Sequence, residues 1–301
     1  MRVEWNPVNA RADFLDGLNE CFPGWGDQVR YTWYFEPREP HPSPDVLVLK
    51  EGNQIVAGTG LTYRRLLSPT NRPLRAAILT GSWTLPAWRG RGLFARVVAE
   101  SRQQALSKGQ DVLLAFVRED NPSRRVLERE GALLAPTFYF RADAASEEDT
   151  PPERVFAVDP NAALMEDLWQ RVARSGETRF RFHYETVTAF ASQFIHRHSA
   201  TLLLRDEAGH LAIVQDDGRQ RLAHLIAFAN ADSASALHFL KGLAASARAD
   251  GRTLAVFTSP GPVRLACDEA GFTCGRGFVT VMRESGTSLD APWSVSGGDR
   301  S

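Results

Sequence analysis

Apolar residues recur along this chain in two periods, near two and near 3.6, and the switches between them predict mixed α and β structure from end to end. Residues 1–8 read as a short strand. Residues 10–22 read as a helix with Phe14, Leu15, Leu18 and Phe22 on one face, stopped by Pro23-Gly24. A second helix spans 28–35 and ends before Pro37. Strands at 46–49 and 55–62 flank the turn Glu51-Gly52-Asn53, and 74–85 is a further strand. Residues 90–108 form a long amphipathic helix closed by Gly109, and 111–117 is a continuous apolar strand buried on both faces. A short helix at 123–130, closed by Gly131, leads to a strand at 133–141.

The segment 144–153, AASEEDTPPE, is acidic, small and Pro-bearing, and reads as a linker. After it the order repeats. A strand at 154–158, helices at 162–173 and 183–196, a hairpin at 201–204 and 211–214, and a strand at 223–229 come first. They are followed by a helix at 234–249, a strand at 253–258, a helix at 263–270 and a strand at 278–282. DVLLAFV at 111–117 matches TLAVFTS at 253–259, and VLEREGA at 126–132 matches ACDEAGF at 266–272, at an offset of about 140 residues. An internal duplication of one α+β unit follows. It divides the chain into a first domain at 1–143, the linker at 144–153, a second at 154–284 and a tail at 285–301.

Composition narrows the class. Of 301 residues 43% are apolar, enough for two cores, and 35 Lys and Arg balance 36 Asp and Glu, which argues against a nucleic-acid binder. Cys21, Cys267 and Cys274 share no metal-ligand spacing, and no metal site is expected. With no signal-like N-terminus and no long apolar run, the expectation is a cytoplasmic protein that touches no membrane. Locally the charge is uneven. Between Glu51 and Glu100 no acid occurs, while Arg64, Arg65, Arg72, Arg75, Arg89, Arg91 and Arg96 all fall there. Such a stretch suits phosphate.

Within it, TLPAWRGRGLFARVVAES at 84–101 places a strand end, a Gly-bearing turn and a helix start in succession. Gly90 and Gly92 let the backbone turn sharply, and the free N–H groups of the turn and first helical residues converge on a point suited to a pyrophosphate. The residues Thr84-Leu85-Pro86 and Arg89-Gly90-Arg91-Gly92-Leu93-Phe94 resemble the coenzyme loop of the GNAT superfamily of acetyl-CoA-dependent N-acyltransferases, Arg/Gln-x-x-Gly-x-Gly/Ala after a V-x-P strand end. Phe94 departs from the usual small residue. The resemblance continues through DVLLAFV and Asp120-Asn121-Pro122-Ser123 to LEREGA, and the whole is similar to a tandem GNAT protein. Its implied fold is two lobes, each a mixed, mostly antiparallel sheet flanked by helices and split between its central strands.

The resemblance implies direct transfer of an acetyl group from acetyl-CoA to the amine of a small molecule, such as an amino sugar, amino acid or antibiotic-like metabolite, by a monomer or homodimer. Backbone N–H groups around Trp83, Thr84 and Leu85 hold the thioester carbonyl, Asn121 meets the pantetheine amides, and a base and an acid move the protons. The family's tyrosine acid falls on Leu127 and its glutamate base is missing from 74–85. Tyr139 is the candidate acid, with Tyr63 a second, and Ser82 can hold a water. Glu119, Asp120 and Asp27 are the nearest acids. A non-catalytic coenzyme-A-binding module is the alternative. Trp25, Asp27, Tyr31 and Trp33 read as a substrate-side wall, which core packing also explains. In the second copy the matching junction is Asn230-Ala231-Asp232-Ser233-Ala234, where Asp232 caps the helix and repels phosphate, so the coenzyme is expected in the first half. Trp293 in the polar tail wants a pocket, and Asp299 is a further acid.

Overall fold

The computed structural model describes residues 1–142, 154–175, 177–230, 232–283 and 291–300. The expected linker lies outside them. The first half runs β1 (Arg2–Trp5), α1 (Arg11–Cys21), α2 (Gln28–Phe35), β2 (Asp45–Glu51), β3 (Gln54–Leu67), β4 (Pro73–Thr84), α3 (Leu93–Ser107), β5 (Val112–Arg118), α4 (Ser123–Arg129) and β6 (Leu133–Arg141). The second runs β7 (Phe156–Val158), α5 (Ala162–Ser175), β8 (Phe180–His183), α6 (Val187–Phe194), β9 (Thr201–Arg205), β10 (Leu211–Asp217), β11 (Gln220–Ala227), α7 (Ser233–Ala249), β12 (Thr253–Thr258), α8 (Pro262–Glu269), β13 (Thr273–Arg283) and β14 (Trp293–Ser294). Apart from the added β8 and β14, the second half repeats the first in order. It also repeats its pairing, since β4–β5 and β11–β12 are both parallel while the strands before them pair antiparallel.

The helix expected over 183–196 is two elements. His183 ends strand β8, which pairs with β3 through Arg65, Leu66 and Leu67, and α6 begins only after Thr186, whose hydroxyl accepts from Ala189 N–H. The apolar Phe180 and Phe182 explain the difference: they alternate as a strand does and bury against Leu66.

The two sheets are one. The strand order is β1-β2-β3-β4-β5-β13-β6-β12-β11-β10-β9-β7. Strand β13 of the second half lies between β5 and β6 of the first, and β6 lies between β13 and β12. Each half therefore gives its last strand to the other. Helices α5 and α6 cover a core that runs through Ile78 and Leu114 of the first half and Ile213, Leu225 and Phe257 of the second. On the first half's other face α3 and α4 pack on Leu79, Leu113 and Val117, while α1 and α2 seat Phe14, Leu18 and Phe35 beside Val46, Val48 and Trp83.

One buried carboxylate fastens the open end of this half. Asp45, at 4% exposure, accepts from Lys108 Nζ at 2.6 Å, Asn6 Nδ2 at 2.9 Å and Gln104 Nε2 at 3.1 Å, and from the Tyr63 hydroxyl. Burial alone would raise its pKa, but the bonds from Lys108, Tyr63, Asn6 and Gln104 outweigh it and hold the carboxyl below its usual value. A depressed carboxyl contributes stability above its unfolded pKa, near 4, that is lost as pH falls through the folded value. Asp45→Asn should cost about 2–3 kcal/mol at pH 7, at the lower side of a broken buried pair because Lys108 is solvated. Urea unfolding at pH 7 and pH 3 should show the gap to wild type shrinking at the acid end.

Candidate active site

Strands β4 and β5 pair only from Ala76–Val112 to Leu79–Ala115 and then diverge. The divergence begins where β3 and β4 carry an irregularity between Gly58 and Gly60, and where Gly81 takes φ +59°. There the backbone approaches the covering helices closely: a Cβ at Gly58 would stand 2.7 Å from Phe14, and one at Gly60 2.5 Å from Phe35. Trp83 turns to α1 and packs edge-on against Phe14 at 5.6 Å. Ser82, its neighbour in the strand, points the other way, with its hydroxyl 2.7 Å from that of Thr59. Thr80 and Thr62 bring a second hydroxyl pair to 3.2 Å.

At the end of β4 the chain makes one turn of 3-10 helix, Pro86–Trp88, and enters the loop 89–92. Gly90 at φ +77° and Gly92 at φ +74° hold left-handed conformations that glycine adopts without strain, and a Cβ at either would meet nothing within 4 Å. Gly92 is the N-cap of α3, and no side chain bonds the first N–H groups of that helix. Side chains do so at α2 (Asp27), α6 (Thr186) and α7 (Asp232), while α1 and α8 share the open start of α3. An open concave loop ending on an uncapped helix N-terminus fits the pyrophosphate of a coenzyme. Arg89 Nε donates to the Thr84 carbonyl at 3.2 Å, and the Arg91 guanidinium lies 4.6 Å from the Trp88 ring. Leu93 is buried under the loop against Leu47, Leu49 and Val97, and Phe94 is half-buried beside Val98. Asn121 Oδ1 accepts from Ser123 N–H and hydroxyl, which gives it a turn-forming role at the start of α4.

The second half's matching split is filled from within the chain. Val295 and Ser259 exchange bonds at 3.1 and 3.2 Å, and Ser296 bridges Thr258 at the end of β12. Gly297 lies so close to β11 that a Cβ would stand 2.5 Å from the Ala223 carbonyl, and one at Gly298 2.2 Å from Phe194. Trp293 finds the pocket its burial requires, stacked on Phe180 at 5.1 Å. Asp299 is buried, accepts from the Tyr184 hydroxyl at 2.6 Å and from Ser296 N–H at 2.7 Å, and has its pKa raised by burial. At α7, Asp232 takes the N–H groups of Ala234 and Ser235.

Of the expected wall, Tyr31 is core against Phe14 and Phe35, Trp25 stacks on Phe35 at 5.8 Å, and Asp27 caps α2 through Val29 and Arg30 N–H. Trp33 joins the halves: its indole N–H donates to the His196 carbonyl at 2.9 Å, between the guanidinium groups of Arg38 at 4.2 Å and Arg197 at 4.3 Å. Trp33, Tyr34, Arg38, Thr62 and Arg64 border a recess on the α2 side. Burial, then Arg64 and Arg197, draws the Arg38 pKa down to about 9. Tyr139 stands on β6, one strand beyond β13. Its ring leans across Gly277, where a Cβ would be 2.4 Å from Cε2, toward Arg118 of β5, and the Arg300 guanidinium lies 5.1 Å from it. Glu119 is exposed beyond β5, 3.8 Å from Arg124, and Asp120 pairs with Arg118. Sequence reasoning missed Tyr184, Gln193 and Arg38, because none sits in a motif and only the meeting of the halves brings them together.

Residues 11–132 match the profile of the acetyltransferase (GNAT) family. No curated protein sequence matches. Among solved structures, the chain resembles a tandem GNAT protein from the clavulanic acid biosynthesis pathway at TM-score 0.65 and 15% identity, covering 95% of this chain and 100% of that one. It resembles a GCN5-related N-acetyltransferase from Sphaerobacter thermophilus at 0.59 and 15%, covering 96% and 98%. Saccharomyces cerevisiae N-myristoyltransferase aligns at 0.63 and 11%, covering 93% and 80%. At these identities the likeness is one of fold. Among the described residues no helix is long and apolar enough to cross a membrane.

The seat of β4 on α1 is testable at Gly17, where a Cβ would fall 2.3 Å from the Trp83 ring. Alanine in a helix gains about 1 kcal/mol over glycine, but overpacking a buried ring costs about 1–3 kcal/mol. Gly17→Ala should therefore be destabilising on balance, read as a lower urea midpoint. A raised midpoint would mean that α1 does not rest on Trp83.

Proposed function

We propose that this chain, whose residues 11–132 match the acetyltransferase (GNAT) family, is an N-acetyltransferase that takes acetyl-CoA in its first half and a small amine as acceptor. The observation that carries the lobe assignment is the contrast between the two matching helix starts. That of α3 is open and follows Gly90 and Gly92, whereas that of α7 is occupied by the Asp232 carboxylate. The filling of the second split by residues 295–298 supports the same reading.

Bound there, acetyl-CoA supplies the activated acyl group. The loop 89–92 and the first N–H groups of α3 hold its phosphates, and Arg89 and Arg91 swing from their carbonyl and indole contacts to add charge. The backbone of Trp83 to Leu85 orients the thioester in the split, and Asn121 stands at its mouth. Tyr139 gives a proton to the departing sulfur, Ser82 orders a water, and Glu119 receives the proton that the acceptor amine releases. The acceptor approaches from the α2 side past Trp33, with Trp25, Tyr31 and Asp27 setting that wall.

If Arg91 meets phosphate, a charge-assisted contact worth about 1.5–3 kcal/mol is at stake. Arg91→Glu should weaken acetyl-CoA binding at least about tenfold, while Ser233→Glu at the matching place on α7 leaves it unchanged. Titration calorimetry decides, and loss only in the second variant would move the coenzyme to the other half. Tyr139→Phe should lower kcat about a hundredfold with acetyl-CoA affinity intact, measured by thiol release over a panel of amines. An unaltered kcat would remove Tyr139 from the reaction.

A further inference from the structure

The arginines of the acid-free stretch do not gather in one place. Arg89, Arg91 and Arg96 stand at the loop or on the first turn of α3. Arg64, Arg65 and Arg75 lie near the other end of β3 and β4, with Arg75 nine residues before Thr84, roughly 30 Å away at about 3.3 Å per residue. The coenzyme reading accounts for only three of the seven arginines.

At that far end β2 stops at Asp45, opposite Leu61, and β8 pairs with β3 only from His183, opposite Arg65. The edge of β3 between them is uncovered, and a cleft of about 630 Å³ opens between the halves. This is the size of a small-molecule site. Arg64, Arg65, Arg75 and Lys108 line it from the first half, and His183 and Glu185 from the second.

Four cations line the cleft with one carboxylate, Glu185, on its wall; of the four, Lys108 is already paired with Asp45 and Arg64 bonds Gln193 Oε1, which leaves Arg65 and Arg75 as the groups best placed to meet a ligand. Glu185 pairs with Arg65 across the opening, but the two side chains are 52% and 61% exposed, and such a pair is worth about 0–1 kcal/mol. Arg75 Nε stands 3.8 Å from Asp111, beyond hydrogen-bond reach. Lys108 is held by Asp45 at 2.6 Å, which fixes its ammonium at the rim. Burial first, then Arg64 and Arg38, pulls His41 down to about 3, and His41 Nε2 is buried with no hydrogen-bond partner among the described residues.

We propose that this cleft binds a small, multiply charged anion bearing carboxylate or phosphate groups, which ties β3 of the first half to the β8–α6 turn of the second. Planar guanidinium forks at Arg65 and Arg75 suit those groups, and the ligand exchanges with Glu185 for Arg65 at little cost. The site stands about nine strand residues from the end of β4 that leads into the loop 89–92, so it fills independently of the coenzyme and does not rest on the assignment of that loop.

The test titrates the full chain calorimetrically with citrate, inorganic phosphate and glycerol 3-phosphate at constant ionic strength. At least one should saturate a single site. Arg65→Ala with Arg75→Ala should weaken it at least about tenfold, Glu185→Gln should tighten it several-fold by removing the competing carboxylate, and Arg91→Glu should leave it unchanged. The gain expected at Glu185 separates a charge effect from damage to the fold. Saturation by none of the three overturns the proposal. So does binding indifferent to the Arg65 and Arg75 changes, or binding lost in Arg91→Glu, which would put the anion at the coenzyme loop.

Discussion

The insertion of β13 between β5 and β6 is the constraint on which the rest of this molecule depends. Its register with β5 runs from Gly277–Arg118 to Arg283–Val112, and with β6 from Thr273–Arg141 to Val281–Leu133. Neither half closes its sheet without a strand from the other, so separating the halves would strip backbone hydrogen bonds from both sides of β13 at once. The exchange also converts two small cores into a shared one, with Ile78 and Leu114 covered by the same helices as Ile213 and Leu225. It thereby fixes where α6 stands over the first half, and with it the contacts of Trp33, Arg38 and Arg64 to His196, Ser192 and Gln193.

Two copies of one topology have diverged at the same place for a physical reason. A helix N-terminus after a splayed strand leaves unpaired N–H donors, which must find a ligand, a side chain or water. In the first copy the donors of α3 are left open by two left-handed glycines. In the second an aspartate satisfies those of α7, and the chain's own residues 295–298 enter the split beside it. Each solution excludes the other, since a carboxylate at the cap opposes phosphate and the tail takes the space.

The duplication was legible in the sequence because periodicity, glycine stops and the offset of 111–117 from 253–259 are local signals. So was the loop, whose glycines and missing cap residue are adjacent in the chain. The fusion of the sheets was not. A strand's side-chain pattern records which faces are buried and says nothing of which backbone lies at its edge. β8 was not anticipated, and its last residue, His183, was given to the expected helix, because four residues, Phe180 to His183, are too short to establish a period against the apolar α6 that follows. Asp299 is 115 residues from Tyr184 and Gly298 is 105 from Gln193, and these pairs meet only through the tail's return.

The same exchange bears on the surroundings of Tyr139 in a chain whose α4 carries Leu127 at the position that the GNAT resemblance gives to a tyrosine. Leu127 is fully buried among Val98, Leu113 and Val117, so that position serves packing alone. Across the sheet, β13 brings Gly277 opposite both Arg118 and Thr137. Any side chain there would collide with the Tyr139 ring, and only its absence lets that ring lean over β13 toward the end of β5. Glycine inside a strand weakens it by leaving nothing to pack, and here the neighbouring ring fills the gap. The Tyr139 ring thereby stands over β13 with the Arg118 guanidinium 6.0 Å from its centre, and the residue that permits it belongs to the second half.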